Sequence, residues 1–120
     1  MHYVVFEYQY RDAGNFKAFG EIWLSGALTE QAHTKLVNCL ESSEFFIAEQ
    51  IGIPPLYHEL FFYSGGRTTD DHSWHTFLGI RAERKLADQT TPWGTVSNFL
   101  TAFVAVGQNW KPEMSPNFAG

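Results

Sequence analysis

Apolar and polar side chains alternate from residue 2 to residue 10, with Val4, Phe6, Tyr8 and Tyr10 on one side and Tyr3, Val5, Glu7 and Gln9 on the other. A period of two marks a strand with one buried face, and the first set is the better core face. Arg11-Asp12-Ala13-Gly14-Asn15 then supplies turn chemistry, because Gly and Asn tolerate positive φ. The extended pattern resumes over 16–24, with Ile22 and Leu24 inward and Trp23 on the opposite face. These residues predict a β-hairpin.

Ser25-Gly26 ends the second strand, and Thr29 is placed to cap a helix with Glu30 in its first turn. Ala32, Leu36, Val37 and Leu40 recur at helical spacing, which predicts an amphipathic helix over 30–42 with Cys39 beside its apolar stripe. Residues 44–55 mix bulky apolar residues with Glu44 and Glu49 and end in Pro54-Pro55, so an irregular segment pinned to the core is expected. Pro55 opens a short helix in which Leu56, Leu60 and Tyr63 share a face and which Gly65-Gly66 closes; the run Phe61-Phe62-Tyr63 also fits a strand.

A polar loop over 65–71 leads to a third strand, in which Trp74, Thr76, Leu78 and Ile80 alternate with His75, Phe77 and Arg81. That parity makes Trp74 a core residue and turns His75 away from the core. Thr91-Pro92 has the form of a cap followed by a first-turn proline, and Val96, Phe99, Leu100, Phe103 and Val104 give the clearest helical stripe in the chain. The order β-β-α-(α)-β-α predicts an α+β fold: a small antiparallel sheet of three to four strands with two to three helices packed on one face. The expected organisation is a single domain over 1–107 and a C-terminal tail over 108–120, docked by Trp110 or Phe118.

Composition narrows the class. With 17% aromatic residues, eleven of them Phe, large rings should fill the core and leave some for a binding surface. A net charge of -5 argues against gripping phosphate backbones, so no nucleic-acid partner is expected. Arg81, Arg84 and Lys85 are the one basic cluster and read as a solvated strand end. The single cysteine makes no internal disulfide, no signal-like leader opens the chain, and the apolar runs fall short of the ~20 residues that span a bilayer. A cytoplasmic protein without membrane contact is the expectation.

Asp70-Asp71-His72-Ser73-Trp74-His75 gathers two carboxylates and two imidazoles beside a large ring. These are donor types that bind a divalent transition metal, and His72 and His75 share a face if the backbone there is helical. On a strand the two histidines point to opposite faces, and a metal site then needs a turn or bulge at Ser73. The competing reading makes Asp70 and Asp71 turn residues and the histidines exposed strand positions. A third pairs Asp70 or Asp71 with Arg11 or Lys17 of the hairpin. The chain has no nucleophile elbow, phosphate loop, dinucleotide fingerprint or Cys-x-x-Cys.

Three blocks resemble those of a group of small uncharacterised bacterial proteins: Tyr10-Arg11-Asp12-Ala13-Gly14-Asn15-Phe16-Lys17, Phe45-Phe46-Ile47-Ala48-Glu49-Gln50-Ile51-Gly52-Ile53-Pro54, and Asp70-Asp71-His72-Ser73-Trp74-His75. The group's pattern favours Tyr where Phe16 stands and Pro where Ala48 stands. The resemblance brings no reaction with it. It implies that the blocks meet in one polar site made of Arg11, Asp12, Lys17, Glu49, Asp70, Asp71, His72 and His75.

The expected function is a small binding or regulatory module acting through protein–protein contact, inhibitor- or immunity-like, of bacterial or phage type, with a protein partner and no cofactor. The sequence is also compatible with a homodimer. The alternative is a metal-binding protein or metal-dependent hydrolase built on Asp70, Asp71, His72 and His75.

Overall fold

Strand β1 (Tyr3–Arg11) lies at the centre of the sheet, paired antiparallel with β2 (Lys17–Ser25) on one side and β4 (His75–Glu83) on the other. The computed structural model describes residues 2–11, 16–57, 72 and 74–114. Helix α1 (Glu30–Cys39), strand β3 (Phe45–Phe46), strand β5 (Gly94–Thr95) and helix α2 (Val96–Val106) complete the main elements, with 3-10 turns at Ala48–Gln50 and Pro112–Met114. The sheet order is β3-β4-β1-β2-β5.

The α+β class holds, but among the described residues the sheet has five strands rather than three or four, and β5 runs parallel to β2. Both additional strands are two residues long. Alternation over so short a span carries no period, so only the pairing reveals them. The expected helix after Pro55 falls largely on 58–71, outside the described residues.

One face of β1 forms the core, as its alternation requires: Val4, Phe6, Tyr8 and Tyr10 are all buried, with Ile22 and Leu24 of β2 beside them. The Phe6 ring lies 5.0 to 5.9 Å from the rings of Phe46, Phe77, Phe99 and Phe103, which ties the sheet to α2. Val5 points the other way and is buried as well. Its cross-strand neighbours, Trp23 and Arg81, are long enough to cover it.

Thr29 caps α1, its Oγ1 accepting the Ala32 N–H at 3.1 Å. The helix ends at Cys39 rather than 42, because Ser42 and Ser43 take φ of 53° and 59° as the chain turns into β3. Its last carbonyls are satisfied from afar: Asn38 O accepts from Gln108 Nε2 and Cys39 O from Trp110 Nε1, each at 2.8 Å. Trp110 thereby joins the buried core. Burial pushes the Cys39 thiol above its ordinary pKa, against a smaller opposing effect of Lys35.

Helix α2 is capped by Thr95, whose Oγ1 accepts the Asn98 N–H at 3.0 Å, and not by Thr91. Trp93 N donates to Trp23 O at 2.8 Å, and Gly94 and Thr95 pair with β2, so the chain is held extended until Thr95. Val96, Phe99 and Phe103 are buried, whereas Val104 is exposed. At ~100° per residue Val104 sits about 80° around the helix from Val96, at the edge of the stripe.

The register of β4 overturns the parity that its sequence predicts. Glu7 pairs with Gly79 and Tyr8 with Phe77, leaving Leu78 as an extra residue in a β-bulge. One inserted residue reverses every face on one side of it. His75 and Phe77 therefore face the core together with Ile80, and Leu78 is left on the surface.

Candidate functional site

His75 is fully buried, the reverse of its expected exposure. Tyr8, Tyr10, Phe46 and Tyr57 surround it, each ring centroid 5.3 to 6.0 Å from the imidazole. Its Nε2 accepts the Leu56 backbone N–H at 2.9 Å, so that nitrogen carries no proton in the folded chain. Next to it, the Tyr8 hydroxyl donates to Pro54 O at 2.7 Å. Together these two bonds hold residues 54–57 against the end of the sheet.

His72 is fixed in a similar way. Its N–H donates to the Tyr10 hydroxyl at 3.1 Å, its Nδ1 accepts the Trp74 N–H at 3.0 Å, and its Nε2 lies 2.5 Å from Arg11 O. A carbonyl only accepts, so Nε2 is the protonated nitrogen. The ring also packs on Tyr10, with centroids 5.0 Å apart. Both ring nitrogens of His72 and Nε2 of His75 thus serve the backbone, and a metal would have to break one of these bonds to gain His72 as a ligand. Among the described residues no three His, Cys, Asp or Glu side chains gather as a metal would require.

Of the eight predicted site residues, the structure brings Arg11 and His72 together. They line a cavity of about 460 Å³ with Glu41, Phe45, Trp74 and Thr76. Lys17 stands opposite Arg11 in the hairpin register. Glu49 lines a different cavity, beside Lys111 and Met114, where Gln50 exchanges hydrogen bonds with the Lys111 backbone at 2.7 and 3.1 Å. Asp12, Asp70 and Asp71 lie outside the described residues.

The opposite face of the sheet holds a group of residues that the sequence reading did not assemble. Arg81 bridges three strands: Nη1 lies 3.2 Å from Glu7, Nη2 2.6 Å from Glu21 and Nε 3.1 Å from Glu83. The hydrogen bond to Glu21 is the main reason that its pKa rises above the usual guanidinium value; burial opposes the rise, and the hydrogen bonds to Glu83 and Glu7 add to it. The guanidinium also stands 5.7 Å over the Trp23 ring. One cation against three carboxylates leaves two negative charges in excess.

Beside this network Phe19 is 63% exposed and Leu78 48% exposed. They line a shallow cavity of about 340 Å³ with Glu7 and Glu21. Alternation places Phe19 and Glu7 on the outer face, but Leu78 reaches it only through the bulge. Both helices pack on the inner side, through Leu36, Phe99 and Phe103. The outer face is an exposed apolar patch set in acidic surroundings. In comparisons with known proteins no family model matches this chain, and no curated protein or solved structure matches it.

Proposed function

We propose that this protein is a small binding module that acts through protein–protein contact, in a regulatory or inhibitory role, with the outer face of the sheet as its interface. The observation that carries this reading is Phe19 and Leu78 standing exposed beside the Arg81 network. Large apolar side chains are rarely grouped on a free surface without a partner, and excess carboxylates favour a partner surface that is basic around an apolar centre. The use of the imidazoles as backbone anchors supports binding rather than catalysis.

The test is affinity capture from a lysate of the source cells, comparing the wild type with Phe19→Ser/Leu78→Ser. Both side chains are largely solvated, so the double variant should melt within a few degrees of the wild type. A protein retained by the wild type and lost with the variant is the expected result. The same proteins captured by both would dismiss the outer face as the interface.

A further inference from the structure

The edge of β4 that is open among the described residues points to a second binding surface. Gly26 donates to His2 O at 2.8 Å, which makes Tyr3↔Ser25 a pair without mutual hydrogen bonds. Alternation then directs the backbone polar groups of Val4 and Phe6 toward β2. Their partners across β4, Ala82 and Ile80, therefore turn their N–H and C=O groups away from β1 and out of the sheet. The bond from Phe77 N to Glu44 O at 2.9 Å fixes the same alternation from the other side.

Strand β3 covers only the first residues of β4, pairing Phe45 with Thr76 and Phe46 with His75. Among the described residues no strand lies along 78–83 on the side away from β1. Beside this edge a cavity of about 480 Å³ opens between Ile80 and Ala82 on one wall and Leu28, Thr29 and His33 on the other. Just past the strand, Arg84 and Lys85 are exposed, and neither forms an ion pair among the described residues.

We infer that this edge takes an extended segment of a partner protein as an added strand. The backbone groups of Ile80 and Ala82, unpaired among the described residues, call for a chain in β conformation, because only such a chain presents N–H and C=O at the matching interval. Alternate apolar side chains of the segment enter the groove against Leu28 and His33, and an acidic residue lies at the Arg84–Lys85 end. A second copy of this chain is the weaker occupant, since each copy carries a net charge of -5. The inference goes beyond the outer-face reading and does not depend on it.

The experiment is selection of random peptides displayed on phage against the full chain, followed by titration of synthetic copies. Enriched peptides should alternate apolar residues and carry Asp or Glu at one end. Ala82→Pro removes an N–H that faces out of the sheet, a position where proline is tolerated, and should weaken binding about tenfold or more. His33→Trp, on the exposed side of α1, should fill the groove and weaken the same peptides while leaving the residues of β4 unsubstituted. Selected peptides that bind both variants as tightly as the wild type, or no enrichment at all, would overturn the inference.

Peptides that depend on Phe19 and Leu78 but not on Ala82 would support the outer face and refute the edge. The reverse dependence leaves the edge standing alone. A concentration-dependent dimer abolished by Ala82→Pro would assign the edge to a second copy and refute the partner segment.

Discussion

The Nε2 of His75 holds the backbone N–H of Leu56 at 2.9 Å inside a ring of aromatic side chains, and this bond joins β4 to residues 54–57. Truncation at this position empties a buried space and strands a buried donor. His75→Ala should therefore lower unfolding stability by ~2–4 kcal/mol, the sum of a cavity and an orphaned N–H. His75→Gln, which keeps an acceptor, should lose less. Urea denaturation checks both, and an unchanged midpoint for the alanine variant would show that the latch carries no weight.

Phe99 and Phe103 hold α2 to Phe6, whereas Val104 lies outside the stripe. Phe99→Ala is expected to cost ~3–5 kcal/mol, while Val104→Ala should stay within about 0.5 kcal/mol of the wild type. Equal losses at the two positions would mean that α2 packs through a different face.

Arg81 and its three glutamates are more than a third exposed, so solvent screens them. Arg81→Met should cost no more than ~1 kcal/mol at low salt, and the difference should shrink as salt shortens the screening length. Thermal melts at two salt concentrations measure this. A loss that is large and independent of salt would point to the covering of Val5 as the main role of Arg81.

Because the ring nitrogens of His72 already bond Arg11 O and the Trp74 N–H, a chelator should leave the melting temperature unchanged. A drop on adding chelator, absent from His72→Ala/His75→Ala, would revive the metal reading.

Burial raises the pKa of the Cys39 thiol, so the folded chain keeps its proton at a pH where the unfolded chain loses it. Stability is then lost as pH rises past the unfolded value of ~8.5, and none of this contribution is lost on the acid side. Cys39→Ala should flatten the alkaline fall, as read from denaturation midpoints on either side of that pH.

The sequence by itself determined the elements whose side chains repeat. Nine residues of alternation are enough to identify β1 and its buried face, and the spacing from Val96 to Phe103 is enough to identify α2, because both signals come from one local period. The Thr29 cap was legible for the same reason, since a cap is satisfied within its own turn. Parity from His75 to Leu78 was not. The bulge at Leu78 lies where the pairing passes from Glu7↔Gly79 to Tyr8↔Phe77, and neither strand shows it alone. That one residue decided that His75 is a core anchor and not a surface ligand. It also placed Leu78 among the exposed residues of the outer face. The meeting of Arg81 with Glu7 and Glu21, and the open edge at Ile80 and Ala82, likewise depend on pairing between distant strands. Local periodicity reports which way a side chain points, whereas neighbours across a sheet follow from register, which only the tertiary structure decides.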